Sequence, residues 1–402
     1  MVTKYRPVLS APGFVLVLGT ALFGRLPMAM SPLAVLLLIH GTTGSYALAG
    51  VAVGAYALAT GVAAPVQGRC VDHFGRLLAL APLAVFQAMA LLALVLSADA
   101  KADAVTLIGL SALAGAVLPP VAPAVRALIG EMFSDLAVRE TAYTVDSIFQ
   151  ELIWITGPLL VALAAEVSST GSAVLLIGIV GLAGTLMFVA LPAARRRRPA
   201  ATRRPSDRSQ RPSVRTFPEL RYMLVPAGLI GLGLGAMQVG LPAIALHIGQ
   251  RSASAVLLAM WSVGAVLGGL AYGARTWQSS LVTRYRVLLI GTVVLTVPLI
   301  FVHTLTAAVA GALVAGLPGT AVFACQYALV GQTIPQGFAT EAFTWMSAIV
   351  VAGVAGGAAL GGVMTADIGL AGPFALACAA YSMAAMSAYR AQPTPRGALS
   401  RA

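Results

Sequence analysis

Charge is unusually scarce in this sequence. Only 9% of its 402 residues are Asp, Glu, Lys or Arg, where soluble domains carry roughly 25%. Hydrophobic residues make up 59%, and the mean hydropathy is +0.91. Such a chain cannot clothe a large water-facing surface, which excludes a large soluble enzyme and selects a polytopic membrane protein. Cysteine is scarcer still. Cys70, Cys325 and Cys378 lie far apart in or beside apolar segments, so they form neither a disulfide framework nor a metal site. The four histidines, His40, His73, His247 and His303, fall at helix ends or loops, and none stands at ligand spacing from a carboxylate. No nucleotide-binding signature occurs, which argues against ATP as the energy source. The expectation is therefore a protein that is not an enzyme, with no catalytic residue, metal or cofactor; a polytopic membrane enzyme is a remote alternative.

What the chain does have is long apolar runs. Stretches of about 20 residues or more can cross a bilayer at 1.5 Å rise. They fall near 12–39, 46–66, 77–97, 104–130, 142–165 and 172–192, and again near 222–246, 253–274, 287–302, 307–332, 342–365 and 369–389. The expected fold is all-α, with twelve transmembrane helices. The ninth run is short, and its join to the tenth around His303 is the least defined. No signal-peptide cleavage pattern is present; Lys4 and Arg6 precede what reads as the first permanent span.

The basic residues orient these spans. With both termini inside, 21 of the 25 Lys and Arg fall in cytoplasmic segments. Lys101 and Arg251 fall outside, and Arg25 and Arg126 within spans. This predicts a multi-pass protein of the cell (inner, cytoplasmic) membrane with cytoplasmic termini, acting as a monomer. The net charge of +12 is concentrated between Arg195 and Arg215, a Pro-, Ser- and Arg-rich run that reads as a linker, 194–218. It separates an N-terminal unit, 1–193, from a C-terminal unit, 219–402. Topology accounts for the charge, so no nucleic-acid partner is expected; the partners are the bilayer, protons and a small-molecule substrate.

The two units repeat each other. Ala127–Glu131 (ALIGE) recurs as Ala328–Gln332 (ALVGQ). Thr141–Thr144 (TAYT) recurs at an offset of 200 as Glu341–Thr344 (EAFT), and Gly157 then meets Gly357. Pro32 and Val53–Ala55 meet Pro242 and Val263–Ala265 at an offset of 210. Matches in constant order indicate a duplication with parallel halves.

Between the second and third runs lies GRCVDHFGRLL, Gly68–Leu78, with two arginines, an aspartate and a histidine in eleven residues. Charges there cost about 2.5–3.5 kcal/mol each in hydrocarbon, so the stretch is expected to form a tight cytoplasmic loop. Gly68, Asp72, Gly75 and Arg76 resemble the signature loop between helices 2 and 3 of the major facilitator superfamily, although His73 and Leu77 depart from its usual basic residues. With the repeat, the resemblance covers the chain apart from the linker and tails. It implies two six-helix bundles around a central cavity, lined by helices 1, 4, 7 and 10. Those helices here carry Pro27 and Pro32, Pro119, Pro120 and Pro123, Pro242, and Pro318. It further implies a cytoplasmic gate in which Arg76 pairs with Glu131 and Asp72 caps the start of helix 11 beside Glu341, with Arg139 nearby. A Gly-Pro motif of the superfamily's proton antiporters is matched at its centre by Gly157 and Pro158, while Ile153, Val161 and Ala162 replace its flanking positions.

Four ionisable residues are embedded in the first half: Arg25, Arg126, Asp146 and Glu151. Their counterparts Gly235, Tyr327, Met346 and Val351 carry no charge in the membrane. Depth along the hairpin around Asp135 pairs Arg126 with Asp146 and leaves Arg25 for Glu151. Either these are structural pairs, or one carboxylate carries a proton during transport; Glu151, near the midplane, is the better candidate and Asp146 the second. Gln150, Trp154, Gln238, Gln326, Tyr327 and Trp345 are candidates to line the cavity, or to serve as interhelical hydrogen bonds and interface anchors. The function expected is proton-coupled efflux of a small amphipathic or drug-like molecule, with proton-coupled or facilitated uptake of a metabolite as the alternative.

Overall fold

The computed structural model describes residues 2–195, 218–250, 253–302 and 304–390. Among them the chain is helical throughout, with no strand. A short α1 (Val2–Leu9) precedes the spans of the first half: α2 (Phe14–Thr43), α3 (Tyr46–Phe74), α4 (Arg76–Asp99), α5 (Ala104–Ala116) with α6 (Val121–Met132), α7 (Leu136–Val167) and α8 (Thr170–Ala190). After the turn α9 (Pro192–Arg195), the second half comprises α10 (Pro218–His247), α11 (Ala253–Ala274), α12 (Leu281–Thr296), α13 (Leu305–Gly316) with α14 (Gly319–Thr333), α15 (Ala339–Asp367) and α16 (Ala371–Arg390). Among the described residues, twelve spans are long and apolar enough to cross a membrane. A 3₁₀ turn, Val297–Phe301, completes the short ninth span. The expected linker and the His303 join lie largely or wholly outside the described residues.

Proline sets the two broken spans. Pro119 and Pro120 remove amide donors between α5 and α6, and Pro318 caps α14 after α13 has ended. Elsewhere proline is absorbed: Pro27 and Pro32 lie inside α2, and Pro226 and Pro242 inside α10. Polar caps fix the loop ends, with Ser45, Asp103, Asp135 and Ser169 each accepting from a first-turn amide.

The expected loop at Gly68–Leu78 is not a loop. Helix α3 continues to Phe74, and a single residue, Gly75 at φ 90°, turns the chain into α4. The charged residues leave the apolar region by riding on the helix end. Gly68 serves a different purpose from turning: a Cβ there would overlap the Thr344 side chain and the Glu341 backbone. It allows α3 to lie directly against α15.

The hydrophobic core shows how the halves are joined. The proximal end of the bundle carries α1, Gly75 and the starts of α7 and α15. There one continuous core draws on both halves, from Phe14, Val71, Leu128 and Tyr143 to Met223, Tyr285, Cys325 and Phe343. Toward the distal end the core divides. One cluster, including Leu38, Tyr56, Leu94 and Ile177, belongs to the first half. The other, including Met237, Leu257, Leu299 and Phe374, belongs to the second. Burial along α15 follows: Ala339–Thr344 and Met346 are buried, and beyond them only Gly357 and Gly361, which pack on α10 within their own half. The halves are thus closed on one another proximally and part distally.

Candidate functional site

Two groups of polar residues lie on this interface, a charged cluster within the spans and a second cluster at the proximal end. In the cluster, α2 supplies Arg25, α6 supplies Arg126, and α7 supplies Asp146 and Gln150. Asp146 is fully buried, and Arg25 and Arg126 are 3% and 4% exposed. The Asp146 carboxylate accepts from both guanidiniums, from Arg25 Nη2 at 2.6 Å on one oxygen and from Arg126 Nε at 3.1 Å on the other. Arg126 Nη2 also reaches Gln150 Oε1 at 3.4 Å. The pairing of Arg126 with Asp146 is as expected. Arg25, however, turns to Asp146 and not to Glu151. Depth along a hairpin cannot register which side of a helix a residue faces, and Arg25 shares its side of the bundle with Asp146.

Glu151 is one residue beyond Gln150 and therefore about 100° further around α7. It is half-buried and has no ion pair or hydrogen bond among the described residues. Tyr327 on α14 lies within electrostatic reach of all four embedded charges, Glu151 included. The Arg126 guanidinium stacks on the Tyr327 ring, its Cζ 3.9 Å from the centroid. Desolvated contacts of this kind are worth about 2 kcal/mol or more. Tyr327 is itself wedged edge-on to Phe343 at 6.1 Å. Thus the charge cluster of the first half is roofed by an aromatic pair of the second.

The other polar candidates separate by position. Gln150 and Tyr327 belong to the cluster. Trp154 is 45% exposed one turn beyond Gln150, and Trp345 is half-buried. Gln238 is exposed on α10. Gln326 is buried and donates to the Met223 carbonyl at 3.4 Å, an interhelical hydrogen bond within the second half.

At the proximal end, Asp72 at the end of α3 accepts from the amides of Thr340 at 3.2 Å and Glu341 at 2.8 Å. A carboxylate there meets the unsatisfied N–H groups and the positive end of the α15 dipole. Glu341 in turn pairs with Arg69 at 2.9 Å. Arg76 forms an ion pair with Glu131, tying α4 to α6 inside the first half. Arg139 donates across the interface to the Gly331 carbonyl at 3.4 Å.

A second bridge was missing from the sequence reading. Glu140 on α7 accepts from Arg284 on α12 through both oxygens, at 2.8 and 3.2 Å. Arg284 also donates to the Tyr272 hydroxyl at 2.9 Å, which meets Cys325 Sγ at 2.9 Å. The available signal was the repeat: Glu140 adjoins Thr141–Thr144 as Glu341 opens its copy. The close approaches repeat as well, since a Cβ on Gly273 of α11 would press on Thr144 as one on Gly68 would on Thr344. The first helix reinforces this side, with Tyr5 donating to the Leu270 carbonyl and Lys4 to that of Arg275, both at 2.8 Å.

The comparisons with known proteins agree with this architecture. None of the curated proteins matches the sequence. Among solved structures, the human organic anion transporter MFSD10 (TETRAN) superposes with a TM-score of 0.72 at 14% identity, covering 93% of this chain and 98% of its own. A bacterial homologue of the iron transporter ferroportin in its outward-facing state gives 0.71 at 12% identity, again with 93% and 98% covered. These likenesses concern the fold. The family model described as Major Facilitator Superfamily matches residues 14–279, and on that match the chain belongs to the major facilitator superfamily of membrane transporters.

Proposed function

We propose that this chain is a proton-coupled secondary transporter that carries a small amphipathic organic molecule by alternating access, with Glu151 as its coupling carboxylate. One observation carries the reading: Glu151 is half-buried within a span, within electrostatic reach of Tyr327 on the other half, and has no ion pair or hydrogen bond among the described residues. Intramembrane carboxylates mark ion pathways, and one without a fixed partner can exchange a proton without breaking a bridge. Asp146 differs, because neutralising it would leave two buried arginines with no carboxylate. The proximal contacts of Asp72, Arg69–Glu341 and Glu140–Arg284 form the gate that opens when the distal side closes. We place the protein in the cytoplasmic membrane as a monomer of two six-helix units, 1–193 and 219–402, with the proximal end and both termini in the cytoplasm.

Export in exchange for protons is the direction expected from the sequence. The charge balance supports the alternative. Asp146 alone answers two guanidiniums, so the cluster is positive and favours an anion, and a proton taken up at Glu151 on the same leg of the cycle makes the transport symport. Purified protein in liposomes tests the coupling with benzenesulfonate and ethidium as anionic and cationic amphipaths. An imposed pH gradient should drive accumulation of one of them and an ionophore should abolish it. Glu151→Gln should lose the gradient-driven part while keeping exchange of solute at equal pH. Undiminished accumulation by that variant would remove Glu151 from the coupling role.

A further inference from the structure

We infer that the transported solute is an organic anion whose acidic group is held by Arg25 and Arg126 beside Gln150. This deepens the transporter reading above by naming the solute class. The first observation is stoichiometry. Asp146 needs one guanidinium to be neutralised and has two, both with almost no exposed surface. A second buried guanidinium costs free energy that a structural pair does not require, unless another anion joins it during the cycle.

The second observation is the set of unused donors. Among the described residues Arg25 Nε and Gln150 Nε2 are buried without a hydrogen-bond partner, although both side chains belong to the network around Asp146. Buried N–H groups are normally satisfied. Two open donors in one network with surplus positive charge are what a carboxylate, sulfonate or phosphate monoester accepts from. Guanidinium is also the side chain whose planar fork matches such groups.

The third observation is the surroundings. The ionisable groups around this cluster are Asp146, Glu151 and Tyr143 on α7, Arg25 from α2, Arg126 from α6 and Tyr327 from α14, with the Tyr143 hydroxyl donating to the Arg126 carbonyl at 3.2 Å. Helix α8 adds no ionisable side chain, and the one on α11, Tyr272, is engaged at the gate. With Glu151 protonated the local sum is one positive charge. A cation would add to it, whereas a monoanion cancels it. The rest of the solute meets Trp154, exposed one turn beyond Gln150, and the Tyr327 ring that lies over Arg126. This suits an aromatic or otherwise amphipathic body.

The test is thermal stabilisation of the purified full-length protein by benzoate, benzenesulfonate and phenyl phosphate, against benzamide and benzylamine as neutral and cationic counterparts. At about 10 mM, at least one anion should raise the Tm by about 2 °C, and the amide and amine should not. Arg25→Gln keeps the Arg126–Asp146 pair and should fold, but should lose the anion response; Arg25→Lys should restore part of it. Glu151→Gln should keep the response or enlarge it severalfold, because it makes permanent the neutral form that the anion favours. Stabilisation by benzylamine alone, by none of the anions, or by anions equally in Arg25→Gln overturns the assignment. Anion binding without any proton dependence of transport would leave the anion site standing and remove the proton reading instead.

Discussion

Glu140 and Arg284 join α7 of the first half to α12 of the second through two hydrogen bonds, at 2.8 and 3.2 Å, where both side chains are largely withdrawn from solvent. Charge-assisted bonds of this kind are worth about 1.5–3 kcal/mol. Losing that amount from one conformation shifts its population against the other by roughly 10- to 100-fold. Cys325, buried and bonded to Tyr272 beneath this bridge, is a built-in reporter. Glu140→Ala should therefore raise the rate of maleimide labelling at Cys325 by about tenfold or more, read by peptide mass spectrometry to separate it from Cys70 and Cys378. An unchanged rate would show that this bridge does not hold the proximal end shut.

Asp72 tests the same gate at its pseudo-equivalent side. Its carboxylate caps α15, a helix of the other half, so its contribution exists only while the proximal end is closed. An N-terminal cap is worth about 0.5–2 kcal/mol. Asp72→Asn should insert and fold normally but slow turnover, and combined with Glu140→Ala it should label Cys325 faster than either change alone. Turnover equal to the unaltered protein would reduce Asp72 to a static cap.

Asp146 and Arg25 should behave asymmetrically. Asp146→Asn leaves two buried guanidiniums without a carboxylate and should cost about 3–5 kcal/mol, visible as lower yield and Tm. Arg25→Met leaves Arg126 and Asp146 as a one-to-one pair, so the protein should persist while transport fails. Equal loss of yield in both variants would mean that Arg25 is needed for folding itself.

Glu151 should stand apart from both. Since no ion pair forms on it among the described residues, Glu151→Gln should leave yield and Tm within about 0.5 kcal/mol of the unaltered protein. Instability of that variant would reveal a structural role that the described contacts do not contain.

Topology can be read directly. A reporter fused near Arg203 should register on the cytoplasmic side and one near Lys101 on the opposite side, as the arginine distribution requires. The reverse pattern at either position would invert the membrane orientation and move the gate to the external face.

The sequence by itself determined the fold class. Twelve apolar runs can be counted because a bilayer demands a minimum span length, and the structure has twelve such spans. The repeat is equally one-dimensional: Thr141–Thr144 and Glu341–Thr344 are legible as copies without knowing what they touch. Asp72 and Arg76 stood out because charge beside long apolar runs must have a reason. Partner choice was beyond reach. Arg25 bonds Asp146 because α2 and α7 present those two side chains to each other, and helix rotation is set by packing over the whole bundle. Glu140 and Arg284 lie 144 positions apart and meet only because the halves close proximally. Gly68 read as part of a tight loop, and only the contact with Thr344 shows that it makes room for another helix. Depth, length and charge are properties of one chain segment at a time; the side a helix presents, and the half it closes against, belong to the assembled interface.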